Sequence, residues 1–82
     1  MAFGYTGEKL APGVRVSIAQ ARSIALPAVL GEITDEGLDT EDGGSGLRYT
    51  FNIKRGAETY EVGIDARTGV VLENTVERQG PH

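Results

Sequence analysis

Residues 47–65 read Leu47-Arg-Tyr-Thr-Phe-Asn-Ile-Lys-Arg-Gly-Ala-Glu-Thr-Tyr-Glu-Val-Gly-Ile-Asp65, and this stretch decides the fold. Apolar and polar residues alternate strictly on both sides of Gly56-Ala57, which is the pattern of two strands joined by a tight turn. If these two residues form the loop, with a positive φ at the glycine, Phe51 lies opposite Val62 and the large apolar side chains share one face. The sequence therefore predicts an antiparallel hairpin with one apolar face and one polar face.

The polar face of this hairpin is the surface that we expect to be free for a partner. Pairing places Lys54 opposite Thr59 and gives Arg48 an oppositely charged neighbour in Asp65. A half-covered sheet can bind another protein through its open face or its edge. The candidate protein-binding face consists of Arg48, Thr50, Asn52, Lys54, Thr59 and Glu61. The alternative interpretation is that these side chains simply face solvent.

A second turn, Asp65-Ala-Arg-Thr-Gly69, leads into a further strand. Its aspartate can cap the turn, and its final glycine suits the left-handed position of a three-residue hairpin loop. With that loop Tyr60 faces Val76. The same register places Ile64 opposite Leu72, which keeps the apolar face continuous, whereas a four-residue loop would turn polar residues inward.

Upstream of the sheet, the sequence predicts one helix that begins at Ile18. Ser17, followed three residues later by Gln20, is the signature of a capping box. Pro27 lacks an N–H group, so we expect the helix to kink or end near Leu26 and to resume for a turn. The apolar side of the helix, which should cover the apolar face of the sheet, consists of Ile18, Ala21, Ile24, Ala25, Ala28 and Val29.

Between the helix and the hairpin, residues 32–42 are expected to form the first strand. Ile33 and Leu38 have opposite parity, so both can face the core only if the strand contains a bulge or bend, which we place at Gly37. The glycine-rich run 42–46 is a loop. The predicted fold is therefore α+β, with one N-terminal helix packed on a three- or four-stranded antiparallel β-meander.

Several segments, in this order and spacing, resemble the PepSY family. Similarity to the C-terminal half of a PepSY domain is carried by Leu47-Arg-Tyr-Thr-Phe-Asn-Ile-Lys and by Tyr60-Glu-Val-Gly-Ile-Asp-Ala-Arg-Thr-Gly-Val-Val-Leu-Glu-Asn. The opening helix of that family is similar to Val16-Ser-Ile-Ala-Gln-Ala-Arg-Ser-Ile-Ala-Leu, and its next strand to Gly31-Glu-Ile-Thr-Asp-Glu-Gly-Leu.

The resemblance divides the chain into three parts. Residues 14–77 form the PepSY-like domain, and residues 78–82 form a tail. Residues 1–13 contain several glycines and a proline without a sustained period, so we interpret them as a flexible or loosely docked leader. Phe3 and Tyr5 are the residues of this leader that are suited to pack on the domain.

The resemblance implies a regulatory function rather than a catalytic one. Similar domains occur in the propeptides of thermolysin-like metallopeptidases and in bacterial envelope proteins, where they restrain or regulate peptidases. We therefore expect a non-catalytic protein-binding module that inhibits or regulates a peptidase partner in trans. We expect it to be periplasmic or secreted, after removal of a signal peptide that precedes residue 1. The alternative is a structural or self-associating envelope module with no peptidase link. A monomer, a weak dimer and a cytoplasmic location all stay open.

Composition narrows the class of partner. The chain has 82 residues and a net charge of −4, with acidic residues concentrated between Glu32 and Asp42. Binding to nucleic acid or to an anionic membrane is not expected, since both require clustered basic residues. The absence of cysteine excludes disulfides and thiolate metal sites, and no apolar run approaches the length of a membrane span.

The sequence predicts no catalytic residue, cofactor or metal, and we do not expect an enzyme. The single histidine, His82, is the last residue and is expected to be inert. Helix capping explains Ser17, and turn formation explains Asp65 and Thr68. The acidic run 35–42 lacks the ligand spacing of a calcium-binding loop.

Overall fold

Alternating apolar residues between Leu47 and Asp65 form the two central strands of a four-stranded antiparallel sheet. The computed structural model describes residues 5–77. Its elements are a short 3₁₀ helix (Glu8–Gly13), α1 (Ile18–Ala28), β1 (Glu32–Thr40), β2 (Leu47–Arg55), β3 (Glu58–Asp65) and β4 (Val71–Glu77). The strands lie in the order β1-β2-β3-β4. The predicted α+β fold, a helix and a meander, is confirmed.

The register of the β2–β3 hairpin is as predicted. Phe51 lies opposite Val62, and Arg48 lies opposite Asp65. Gly56 has a φ of 62°, which is the backbone conformation expected for the first central residue of this turn. The apolar face is fully buried at Tyr49, Phe51, Ile53, Val62 and Ile64.

The turn between β3 and β4 differs from the prediction. Tyr60 faces Val76 as expected, but Ile64 pairs with Val71 instead of Leu72. The Asp65 N–H donates to the carbonyl of Val70 at 2.8 Å, so the loop contains four residues rather than three. A bulge then shifts the register by one, which restores the predicted pairing along the rest of β4 and keeps its polar residues away from the core.

Helix α1 begins at Ile18, and its capping box is confirmed. The Gln20 N–H donates to Ser17 Oγ at 3.1 Å, and the Ser17 N–H donates to Gln20 Oε1 at 2.8 Å. The helix ends at Ala28, two residues beyond the predicted position near Leu26, and does not resume after it. Pro27 lies in the last turn, so its missing N–H removes only one hydrogen bond at the end of the helix.

The helix packs on the sheet through small side chains. Ala21 and Ala25 are completely buried in the core cluster, and Val29 is almost so. Because alanine extends only to its Cβ, these positions allow the helix to lie close to the sheet. Ala28, which the sequence assigned to the apolar side, is exposed.

The bulge in β1 exists but lies earlier than predicted. It falls between Ile33 and Asp35, and not at Gly37. The hydroxyl of Thr34, the bulged residue, donates to the carbonyl of Asn52 on β2 at 3.3 Å. The change of parity places both Ile33 and Leu38 on the core side, which is what the sequence argument required.

The described part of the N-terminal segment lies against the domain. The Leu38 N–H donates to the carbonyl of Thr6 at 2.7 Å, and the rings of Tyr5 and Tyr49 lie 6.3 Å apart. Leu10 and Ala11 also pack on the core. The division of the chain at residue 14 stays a prediction. Phe3 and the predicted tail at 78–82 lie outside the described residues.

A buried carboxylate organises the turn between β3 and β4. Asp65 is completely buried, and its two oxygens accept backbone N–H groups from Ser45 at 2.6 Å, Arg67 at 2.8 Å and Thr68 at 2.9 Å. Burial alone would raise the pKa of Asp65, but these hydrogen bonds outweigh it and hold the pKa well below its usual range. The predicted turn roles of Asp65 and Thr68 are confirmed.

Candidate functional site

The two faces of the sheet differ in what covers them. Helix α1 lies on the apolar face, and the opposite face carries polar side chains from all four strands; we call it the open face. Pairing of Lys54 with Thr59 and of Asn52 with Glu61 brings the predicted residues to the open face, since alternate residues of a strand point the same way. These residues are Arg48, Thr50, Asn52, Lys54, Thr59 and Glu61. Their role in binding stays a prediction.

Strand β4 adds acidic residues that the sequence analysis did not include in this face. Glu73, Thr75 and Glu77 pair with the odd-numbered residues of β3 and therefore point to the open face. The register of the second turn already indicated that Glu73 and Thr75 point away from the core. Their meeting with Glu61 could have been found by extending that register across all three strands.

Arg48 is the main cation of the open face, and its partners differ from the predicted one. Its side chain is only 15% exposed, and its guanidinium lies 3.5 Å from Glu73 and 4.0 Å from Glu41. No ion pair joins it to Asp65 among residues 5–77, because the aspartate is occupied by backbone N–H groups. The expected charge pair between these two residues is therefore wrong, although their backbones lie opposite each other.

Negative charge exceeds positive charge along the β3–β4 side of the open face. Partial burial raises the pKa of Glu61, and repulsion from Glu73, Glu77 and Glu41 raises it further, while Arg48 lowers it. The arrangement disfavours the ionised form of Glu61. A cationic group placed here from outside would reduce that repulsion.

A shallow depression lies at the other side of the open face, next to β1. Its volume is about 150 Å³, and its lining includes Gly37, Thr50 and Asn52. The glycine leaves space above the sheet, and the two polar side chains can donate or accept hydrogen bonds. This depression could hold one side chain of a partner rather than a small molecule.

A larger groove of about 560 Å³ lies between α1 and β1, and Tyr5 and Thr6 also line it. Arg22 and Glu36 form a bidentate ion pair in it, with N···O distances of 2.8 and 2.7 Å. The hydrogen bond from Arg22 lowers the pKa of Glu36. Its volume falls within the range of ligand sites, but the ionised, paired glutamate is poorly suited to act as a general acid or base near neutral pH.

The described part of the chain offers neither a cluster of metal ligands nor a membrane-spanning helix. Residues 5–77 contain no group of three or more acidic or histidine side chains that could hold a metal ion. Over the same range, no helix is long and apolar enough to cross a membrane. His82, which the sequence predicts to be inert, lies outside the described residues.

Comparison with known proteins gives one match. No curated protein and no solved structure matches the chain. The family model described as the peptidase propeptide and YPEB domain, PepSY, matches residues 15–75. The matched range begins just before α1 and ends within β4, so it takes in the helix, the central hairpin and the turn that begins at Asp65. Since the match covers most of the chain, this protein belongs to the PepSY family.

Proposed function

We propose that this protein is a non-catalytic, protein-binding module that restrains a peptidase in trans. The observation that carries the proposal is the family match over residues 15–75, because the family is described by its occurrence as a peptidase propeptide. The open face supports it, since it offers a polar surface that the helix does not cover and that the N-terminal segment borders at Thr6, beside Gly37.

The open face is suited to a flat protein surface. Thr50, Asn52 and Thr59 are neutral, half-buried groups that can hydrogen-bond to a partner without a large cost of removing charge from water. Arg48 is already held by acidic neighbours, so a partner that covers it does not have to supply a new counter-charge. Lys54 is exposed at the margin, where it can steer association more than strengthen it.

A module that restrains a peptidase must itself resist cleavage. Cleavage requires an extended, accessible chain, and strands within a sheet reach that state only after local or global unfolding. The central strands β2 and β3 contain the large, fully buried side chains Tyr49, Phe51, Ile53, Val62 and Ile64, and their pairing is continuous. The open face can therefore lie against a peptidase while its backbone remains protected.

The location outside the cytoplasm is part of the same proposal. It rests on the resemblance to exported PepSY modules, and fractionation of native cells with an antibody to the protein tests it. Recovery in the periplasmic or culture fraction is expected. Recovery with cytosolic markers alone would contradict this part of the proposal and leave the binding role to be tested separately.

The binding role is tested with purified protein and a panel of secreted metallopeptidases and serine peptidases from the organism that encodes it. Hydrolysis of casein and of a short chromogenic peptide is measured at increasing concentrations of the protein. We expect saturable inhibition of at least one peptidase, with the protein recovered uncleaved. If the protein neither binds nor slows any member, or is digested as an ordinary substrate, the proposed function is overturned.

A matched pair of variants separates the open face from the rest of the surface. Asn52→Arg adds a large cation to the centre of the open face, whereas Ala19→Arg adds the same group to an exposed position of α1. We expect Asn52→Arg to weaken inhibition at least about tenfold, as for a central interface residue, and Ala19→Arg to leave it unchanged. Equal effects of the two substitutions would show that the open face is not the binding surface.

A further inference from the structure

The two edges of the sheet are treated differently by the chain. On β1 the outward backbone N–H of Leu38 donates to the carbonyl of Thr6 at 2.7 Å. The outward N–H groups of Glu36 and Thr40 each donate to the carboxylate of the preceding aspartate at 3.0 Å. These contacts occupy the groups with which a sheet edge recruits a further strand. The β1 edge is therefore blocked.

The β4 edge has no such cover. Residues that flank a two-residue hairpin turn form a hydrogen-bonded pair, and such pairs recur at every second position. Starting from Arg55 and Glu58, this alternation points the N–H groups of Asn74 and Val76 away from β3. The Asp65 N–H, which donates to the Val70 carbonyl, fits the same alternation. Among residues 5–77, neither outward N–H group has a hydrogen-bond partner.

The side chains of β4 determine what kind of strand could pair with this edge. Glu73 and Glu77 point to the open face, so an added strand would place alternate side chains beside two carboxylates. On the helix side, Val71 is 41% exposed and Val76 is half-buried. The intervening side chains of the added strand would cover these valines. The edge thus favours a strand that alternates cationic and apolar residues.

A second copy of this chain does not fit that requirement. Strand β4 contains no lysine or arginine, so a second copy supplies no cation in any register, and an antiparallel pair centred on Thr75 places Glu73 of each copy opposite Glu77 of the other. Like charges directly opposite each other destabilise a strand pair. Burial, and after it repulsion from these carboxylates, already raises the pKa of Glu61, so a second set of carboxylates would increase that repulsion.

We propose that the β4 edge, through Asn74 and Val76, binds an extended segment of the partner in which lysine or arginine alternates with apolar residues. This inference rests on the proposed function and adds the position and chemistry of one contact. The bound segment would extend the sheet to five strands, and its cations would lie beside Glu73 and Glu77 on the open face. Backbone pairing would supply affinity, and the alternation of side chains would supply selectivity.

The test uses the intact protein and a capped synthetic hexapeptide that alternates lysine or arginine with valine. Amide hydrogen exchange and NMR shifts are followed during titration. We expect saturable shifts along β4, and exchange at Asn74 and Val76 slowed by at least about tenfold. Replacing both Glu73 and Glu77 with glutamine should weaken binding about two- to tenfold, as for exposed charge pairs.

Three controls isolate the edge. A peptide with glutamate in place of its cations should not bind, and a peptide methylated on alternate backbone nitrogens should not bind because it cannot pair. Asn74→Pro removes an outward donor without touching the β3–β4 bonds and should abolish binding. Asp39→Ala, which uncovers the Thr40 N–H on the opposite edge, should leave binding at β4 unchanged. The methylated peptide keeps the test decisive if Asn74→Pro fails to fold.

The outcomes separate this inference from the proposed function. Absence of peptide binding, shifts confined to Thr50 and Asn52, or equal binding of the glutamate peptide would overturn the inference. So would a concentration-dependent dimer that protects Asn74 without peptide. If Asn74→Pro folds and restrains a peptidase as well as the wild type, the proposed function stands and the edge contact fails. If the peptide binds at β4 but no peptidase is restrained, the proposed function fails and the edge contact stands.

Discussion

The two ends of the sheet are built in different ways. At one end, which we call the hairpin end, Gly56 and Ala57 join β2 to β3 in an exposed turn, where a Cβ at Gly56 would meet nothing within 4 Å. At the other, the aspartate end, the buried side chain of Asp65 binds loop 43–46 and its own turn. The first end is specified by neighbours in sequence, and the second by residues far apart in sequence.

The N-terminal segment also joins the aspartate end. The N–H groups of Arg15 and Val16 donate to the carbonyl of Ala66 at 3.0 and 2.9 Å. The Tyr49 hydroxyl donates to the carbonyl of Val16 at 2.7 Å, and burial, together with the nearby Tyr5, raises the pKa of Tyr49 to about 12. Changes at the aspartate end should therefore affect the whole fold, and changes at the hairpin end should stay local.

The largest difference between the ends is expected on removing the Asp65 carboxylate. Asp65→Ala leaves three backbone donors without their charged acceptor, which should lower the free energy of unfolding by about 3–5 kcal/mol. That is close to the whole stability of a domain of this size. Urea denaturation followed by circular dichroism measures it. Asp65→Asn keeps one acceptor oxygen and should lose less. A loss below about 1 kcal/mol for Asp65→Ala would show that the carboxylate does not hold this end together.

Two glycine substitutions compare the ends directly. Gly44 and Gly56 have φ values of 55° and 62°, so alanine costs about 1 kcal/mol of backbone strain at either site. At Gly44 the new Cβ would also clash with Asp65 Oδ2 and lie 2.9 Å from Leu72 Cδ1, whereas nothing lies within 4 Å at Gly56. We expect losses of about 2–3 kcal/mol for Gly44→Ala and about 1 kcal/mol for Gly56→Ala. Equal losses in urea denaturation would mean that loop 43–46 moves away freely.

The pH dependence of stability should also originate at the aspartate end. Because the folded-state pKa of Asp65 lies below its unfolded value of about 4, its contribution is complete above that pH and is lost as the pH falls further. The loss has a limiting slope of about 1.4 kcal/mol per pH unit for one proton. Urea midpoints measured between pH 7 and pH 2.5 should show that the difference in stability between the wild type and Asp65→Asn shrinks as the pH falls.

Two other carboxylates provide controls for that experiment. The hydrogen bond from Arg22 lowers the pKa of Glu36. Glu36→Gln should therefore remove a smaller part of the stability that the wild type loses as the pH falls. The pKa of Glu61 is raised, so its ionised form opposes folding and Glu61→Gln should stabilise the protein above the unfolded pKa. If the wild type and Asp65→Asn lost stability equally as the pH fell, the pH dependence would not originate at Asp65.

The sequence predicted the fold best where the determinants are local. Strict alternation and the Gly56 turn fixed the hairpin register, and the capping box fixed the start of α1. The parity of Ile33 and Leu38 required a bulge but could not locate it, since several positions between them satisfy the same parity. Its position depends on how Thr34 meets the Asn52 carbonyl, which is a contact between strands.

The aspartate end and the open face show why the remainder could not be predicted. The sequence showed that Asp65 could cap its own turn, but not that Ser45, distant in the chain, would donate to it. That contact occupies the carboxylate, so Arg48 pairs with Glu73 and Glu41 instead. The candidate face was assembled from two strands only, so the acidic contribution of β4 was omitted, although the bulge restores the predicted register that places Thr75 opposite Glu61.

The smallest expected difference concerns a pair of exposed arginines, one at each end. Arg67 Nε donates to the carbonyl of Gly13 at 3.0 Å, and Nη1 lies 3.4 Å from the carbonyl of Ser45. Arg67→Ala should cost about 0.5–1 kcal/mol. It should also speed amide exchange at Arg15 and Val16, because the N-terminal segment loses one of its attachments.

Arg55→Ala at the hairpin end is the matched control, since Arg55 is exposed and no side-chain hydrogen bond anchors it within residues 5–77. We expect a change within about 0.5 kcal/mol and unaltered exchange at Arg15 and Val16. Hydrogen exchange is the decisive measurement, because a small loss of global stability would speed every globally protected amide alike. If Arg67→Ala left those two amides as protected as Arg55→Ala does, the guanidinium would not hold the segment, and the backbone bonds to Ala66 would suffice to dock it.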